Sequence, residues 1–137
     1  PDFVRLNYAN GDMVGHTGDL AATIVAMQTV DAEVARLWQA VQALGGVLVV
    51  TADHGNADDM WSCDSKGKPI VLADGKTATK TSHTLNPVPL TIADSRPGAQ
   101  WTLRSDLPAA GLANVAATLL HVMGYETPAD YEPSVLA

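Results

Sequence analysis

Hydrophobic and polar positions divide the chain into one long helical stripe and several short apolar runs. Four consecutive aliphatic residues, Val47 to Val50, predict a strand buried on both faces, as in parallel sheets. Before them, apolar side chains recur at three- and four-residue steps, which is the spacing of an amphipathic helix. This stripe comprises Leu20, Ile24, Met27, Val30, Val34, Leu37, Val41 and Leu44. Asp19 suits the N-cap or the first turn of this helix, and Gly45-Gly46 is the predicted stop.

The remaining segments complete an α/β pattern. Alternation over residues 3–8 predicts a first strand, so that strand, helix and strand form a βαβ unit with a right-handed crossover. Residues 73–76 predict a tight hairpin turn, residues 90–92 and 101–103 short strands, and residues 112–123 a second amphipathic helix. We therefore predict an α/β fold with a mostly parallel central sheet flanked by helices.

Composition narrows the function classes. The chain has 137 residues, 47% hydrophobic and 17% charged, which is typical of a folded domain. Its net charge of −7 argues against nucleic-acid or anionic-membrane partners, because both reward basic surfaces. A single cysteine, Cys63, excludes an internal disulfide and favours a reducing compartment, which we take to be the cytoplasm. The chain does not start with methionine and opens inside a predicted strand, so we expect a piece of a longer protein.

Candidate chemistry lies in loops next to the predicted strands. Asp12 and His16 are one helical turn apart and would face one point, although such a pair alone is more often a surface or capping pair. Asp53 and His54 follow the apolar run directly, where ligands gather in open α/β sheets. His83 lies near a later strand. Imidazole and carboxylate together suit borderline divalent metals, and five ligands are too many for one catalytic ion with open positions. Two metals with vacancies, as in phosphoryl transfer, would use them all.

Three motifs carry a family resemblance. Residues 10–18 (NGDMVGHTG), residues 51–56 (TADHGN) and residues 82–89 (SHTLNPVP) resemble the signatures of cofactor-independent phosphoglycerate mutases, in the same order along the chain. These enzymes belong to the alkaline-phosphatase-like superfamily. The carboxyl-terminal segment resembles the long, plant-type members. The resemblance implies an alkaline-phosphatase-like sandwich, of which residues 1–137 would be the carboxyl-terminal part.

The resemblance also implies a division of labour among these residues. Asp12, His16 and His83 would hold one divalent metal, and Asp53 and His54 a second. Manganese is favoured, with Mg²⁺, Co²⁺ or Zn²⁺ as alternatives. The phosphorylated serine and the inserted substrate domain of the family match no segment here, so we assign no catalytic residue.

The implied activity is interconversion of 3-phosphoglycerate and 2-phosphoglycerate through a phosphoserine. Partners would be this small phosphorylated substrate and the rest of the parent chain. The alternatives are another metal-dependent phosphatase or phosphomutase of the superfamily, and a non-catalytic metal-binding module.

Overall fold

The structure is a computed structural model that describes residues 1–137. Its elements are α1 (Asn10–Gly15), α2 (Leu20–Ala43), β1 (Val47–Thr51), β2 (Leu90–Asp94), a short 3-10 helix (Leu112–Asn114) and α3 (Val115–Val122). The chain divides into two compact units, Pro1–Ser95 and Arg96–Ala137. The candidate chemistry lies in the first unit.

The long helix forms where the apolar stripe predicts it. The Asp19 carboxylate caps α2 by accepting a hydrogen bond of 2.9 Å from the Ala22 N–H. After the helix, Gly45 adopts a φ of +62°, and the Gly46 N–H donates to the Val41 carbonyl at 3.0 Å. Because only glycine adopts this left-handed conformation without a Cβ penalty, Gly45 ends the helix and turns the chain into β1. The predicted helix, its cap and its stop are confirmed.

The sheet of the structure has two antiparallel strands. β1 pairs with β2 in a register that sets Val47 opposite Asp94 and Thr51 opposite Leu90. Both predicted strands are confirmed, but Val47 to Val50 are half-buried, so the prediction of full burial on both faces is wrong within this chain. The mostly parallel sheet stays a prediction, because antiparallel pairing of β1 and β2 does not test it.

Two other predicted strands are wrong. Residues 3–8 form no strand, and Phe3, Val4 and Leu6 are exposed. Alternation alone does not make a strand without a neighbour to complete the ladder, so the βαβ unit lacks its first strand. Residues 101–103 likewise form no strand beyond one bridge between Leu103 and Leu136.

Between the two strands, the chain makes a bridged excursion. Isolated antiparallel bridges join Trp61 to Thr79 and Val71 to Thr77. The Leu72 N–H donates to the Lys76 carbonyl at 2.7 Å, which closes the predicted hairpin turn. This excursion brings the segment around residue 83 back towards the end of β1.

The second unit packs around α3. Its buried apolar residues are Ala117, Val122, Val135 and Leu136. Buried Thr118 donates to the Asn114 carbonyl at 2.7 Å and accepts from the Val135 N–H at 3.0 Å, which fastens the carboxyl-terminal segment to the helix. His121 makes an edge-on contact with the Trp101 ring. None of the helices combines the length and hydropathy required of a membrane span.

Candidate metal centre

Helix α1 presents the first two candidate ligands. Asp12 lies in its first turn and His16 directly follows its last residue. The distance from His16 Nε2 to Asp12 Oδ1 is 3.1 Å. Both side chains therefore face one point, as their spacing of four residues predicts. His16 is the C-cap residue of α1 through its backbone, and neither side chain makes a capping hydrogen bond.

His83 reaches the same point from a distant segment. Its Nε2 lies 3.0 Å from Asp12 Oδ1 and 3.1 Å from His16 Nε2. Thr84, the next residue, fixes this segment because its N–H donates to the Gly55 carbonyl at 2.8 Å. Adjacent ligands at right angles around one ion, with bonds of about 2.1 Å, are about 3 Å apart. The separations of the three donor atoms are compatible with ligands of one divalent ion.

A backbone carbonyl determines which nitrogen of the His16 ring carries the hydrogen. Nδ1 of His16 lies 2.5 Å from the Thr81 carbonyl oxygen. Because a carbonyl only accepts, Nδ1 carries the hydrogen, and in the neutral ring Nε2 keeps its lone pair. That lone pair faces Asp12 and His83. Metal-binding histidines commonly donate their other N–H to a carbonyl in this way.

His54 and Asp53 lie at the side of this cluster. The His54 ring stacks on the His83 ring, with centroids 3.7 Å apart and an interplanar angle of 18°. One ligand atom each from Asp12, His54 and His83 lies within 4.8 Å of the others. The Asp53 side chain is 90% exposed, with its Oδ1 3.7 Å from His54 Nε2. The structure thus brings four of the five predicted residues together and leaves Asp53 at the solvent edge.

The electrostatics of the cluster favour an ionised Asp12. Partial desolvation raises the pKa of its carboxyl. The hydrogen bond from Asn56 and the positive charge available on the histidines lower the pKa by more than desolvation raises it; these histidines are His16, His83 and His54. The net result is a pKa below the ordinary value. A carboxylate that stays ionised is suited to binding a cation.

Sequence reasoning missed the residues that support the ligands. Asn56 is 4% exposed, and its Nδ2 donates to Asp12 Oδ1 at 2.9 Å. The Asp58 carboxylate accepts from Thr84 Oγ1 at 3.1 Å and from Asn86 Nδ2 at 2.6 Å, joining the segment after β1 to the segment that carries His83. Asn56 stands within the motif after β1, but its partner is 44 residues away, so periodicity gives no signal for its role.

Gly55 makes this close approach possible. A Cβ at position 55 would overlap Thr84 Oγ1 and lie 2.5 Å from Asp58 Oδ1. The glycine is therefore required by the neighbouring side chains rather than by a positive φ. It lets the two ligand-bearing segments meet directly after the strand.

A family model described as the metalloenzyme superfamily matches residues 1–127 of the chain. The chain belongs to the metalloenzyme superfamily. Membership and the cluster of Asp12, His54 and His83 together support binding of a divalent metal.

Named relatives agree with the resemblance drawn from the motifs. The chain is 53% identical over 135 residues to the 2,3-bisphosphoglycerate-independent phosphoglycerate mutase of Trypanosoma brucei brucei, covering 98% of this chain and 24% of that protein. It is 50% identical over 135 residues to the enzyme of that name from Ricinus communis, covering 97% of this chain and 24% of the plant protein. The resemblance to these mutases, plant members included, is confirmed.

A solved structure supports the fold. A crystal structure of Leishmania mexicana phosphoglycerate mutase, described as at low cobalt concentration, matches with a TM-score of 0.93 and 53% identity. The match covers 98% of this chain and 24% of that one. It supports an α/β fold of the alkaline-phosphatase type. The chain spans about a quarter of the length of the relatives it matches.

Proposed function

We propose that the full-length protein carrying this chain is a phosphoglycerate mutase. It interconverts 3-phosphoglycerate and 2-phosphoglycerate through a phosphoserine, with two divalent metals. This chain supplies metal ligands, whereas the serine and the substrate-binding domain lie outside it. The observation that carries the proposal is the triangle of donor atoms from Asp12, His16 and His83, each within 3.1 Å of the other two.

The residues divide into two ligand sets in this proposal. Asp12, His16 and His83 hold one ion, and Asp53 with His54 begins a second set that residues outside this chain complete. When bound, the ions polarise phosphoryl oxygens and stabilise negative charge. The stacking of His54 on His83 supports two adjacent metal sites, because it brings one ligand of each set into direct contact. The exposed carboxylate of Asp53 remains available to an ion on the outer side of His54.

We further propose manganese as the metal and the cytoplasm as the location. Imidazole and carboxylate donors without thiolate suit Mn²⁺, Co²⁺ and Zn²⁺. The net charge of −7 argues against a nucleic-acid or membrane partner, whereas a small phosphorylated substrate can still bind at a positively charged metal site. One exposed cysteine fits a reducing compartment.

The test is a coupled mutase assay on the full-length protein, first stripped of metal and then reloaded with Mn²⁺. We expect 2-phosphoglycerate to form from 3-phosphoglycerate only after reloading. The assay also measures inorganic phosphate. Release of phosphate without formation of 2-phosphoglycerate would show that the protein is a phosphatase rather than a mutase. Turnover equally fast without any metal would overturn the metal-dependent mechanism.

A further inference from the structure

The buried side chain of Asn56 holds one carboxylate. Its side chain is buried, and Nδ2 donates to Asp12 Oδ1 at 2.9 Å and approaches the Asp12 carbonyl oxygen at 3.4 Å. Its Oδ1 is buried without a hydrogen-bond partner. Burying an unpartnered amide oxygen costs stability. The contacts with Asp12 are the hydrogen bonds that the structure gives this side chain.

The orientation of the amide follows from its partner. An ionised carboxylate only accepts hydrogen bonds, so a donor must face Asp12 Oδ1. Exchanging the amide oxygen and nitrogen would set Oδ1 against the carboxylate and leave that contact repulsive. Nδ2 therefore faces Asp12 and restricts the rotation of its side chain.

Gly15 makes room for the amide. It is the buried last residue of α1, between Asp12 and His16. A Cβ at position 15 would overlap Asn56 Oδ1 and lie 3.0 Å from Asn56 Cγ. Any larger residue there would collide with the amide, although the substitution itself removes no candidate metal ligand.

We propose that Asn56 is a positioning residue that holds the Asp12 carboxylate ready for a divalent metal, and that Gly15 is the position that admits it. The proposal rests on the metal site of the proposed function. A ligand held in its binding rotamer pays less conformational entropy when the ion arrives. Removing such an outer contact typically costs about ten- to a hundredfold in metal affinity.

The test measures Mn²⁺ binding to the full-length protein without substrate, from the paramagnetic resonance signal of free Mn²⁺. We expect Asn56→Ala to weaken one Mn²⁺ site about ten- to a hundredfold. Gly15→Ala should weaken the same site, although it removes no ligand. Asn7→Ala is the matched control, because it deletes the same atoms from an exposed asparagine outside the cluster. The Co²⁺-loaded proteins provide a second readout, since a displaced carboxylate changes the visible absorption spectrum.

A double-mutant cycle separates positioning from general destabilisation. Once Asn56→Ala has removed the amide, Gly15→Ala no longer meets it and should cost no further affinity. If Asn56→Ala does not fold, Gly15→Ala alone decides through its affinity and Co²⁺ spectrum. Unchanged Mn²⁺ affinity and Co²⁺ spectrum in a folded variant would overturn the positioning role while leaving the proposed function standing. Absence of metal binding by the unaltered protein would overturn both.

Discussion

At the scale of single residues, Asp12 is the meeting point of the site. Two imidazole nitrogens and one amide nitrogen lie within 3.1 Å of its Oδ1. Three nitrogen atoms this close to one oxygen leave little freedom for the side chain. Substitutions that remove one of these contacts should therefore act on metal binding before they act on folding.

His83→Ala should remove one metal and spare the other. In the full-length protein, we expect elemental analysis after gel filtration to show bound Mn²⁺ falling from two ions to one, because Asp53 and His54 remain. His121→Ala is the matched control, since that histidine contacts Trp101 and Ser134 in the second unit. Two ions retained at ordinary affinity in His83→Ala would exclude His83 from the ligands.

The sequence predicted some of these residues for physical reasons and missed others. Asp12 and His16 are one turn apart, so a local rule places them on one face. His83 lies 67 residues beyond His16, and no local rule joins them; only the family motifs did. Asn56 was missed because its role depends on a contact across the fold, with an asparagine side chain that commonly belongs to a turn.

At the scale of elements, the site depends on a junction between two loops. The loop after β1 and the loop before β2 meet through the bridge between Gly55 and Thr84 and through the Asp58 carboxylate. The hydrogen bond from Asn86 lowers the pKa of Asp58, and desolvation raises it. The hydrogen bond from Thr84 also lowers this pKa, so the two hydrogen bonds outweigh desolvation. The net pKa lies below the ordinary value, so the carboxylate strengthens the junction while it is ionised.

Asp58→Asn should lower the stability of the folded protein at neutral pH but not in acid. A carboxyl with a lowered folded pKa stabilises above its unfolded pKa of about 3.9, and this stabilisation disappears as pH falls through the folded pKa. We expect a modest fall in the urea midpoint of the full-length variant at pH 7 that narrows below about pH 4. Asp31→Asn, at an exposed position on α2, is the control. A constant difference between Asp58→Asn and the unaltered protein from pH 7 to acid would show that the charge is irrelevant.

Secondary-structure elements were predicted well where the signal lies within the segment, and poorly where the element depends on pairing with another strand. α2 has its cap and its glycine stop within the segment itself, and both hold. Its apolar stripe predicted the helix, but Leu20, Ile24 and Met27 are exposed within this chain. Residues 3–8 have strand-like alternation, but a strand exists only with a partner. The antiparallel pairing of β1 with β2 joins residues more than 35 positions apart, which no periodicity specifies.

At the scale of the whole molecule, much apolar surface is uncovered within each unit. In the first unit, Phe3 is 52% exposed, Ile24 49% and Leu85 fully exposed. In the second unit, Leu103 is 70% and Tyr125 60% exposed. Apolar surface of this extent is typical of a face that packs against something else. Relatives about four times as long contain ample chain to cover it.

The chain of 137 residues, expressed alone, should therefore associate and should not act as a mutase. Exposed apolar residues favour self-association. Under the proposed function, the serine nucleophile and the substrate-binding domain lie outside this chain, so neither the covalent intermediate nor substrate positioning would be supplied. We expect light scattering to show oligomers, and a coupled assay with excess Mn²⁺ to show no turnover beside an active full-length protein. Mn²⁺ binding by the same sample is the control that its metal site is still folded. Activity within about a hundredfold of the full-length protein, equivalent to about 2.7 kcal/mol of barrier, would mean that a residue of this chain is itself the nucleophile.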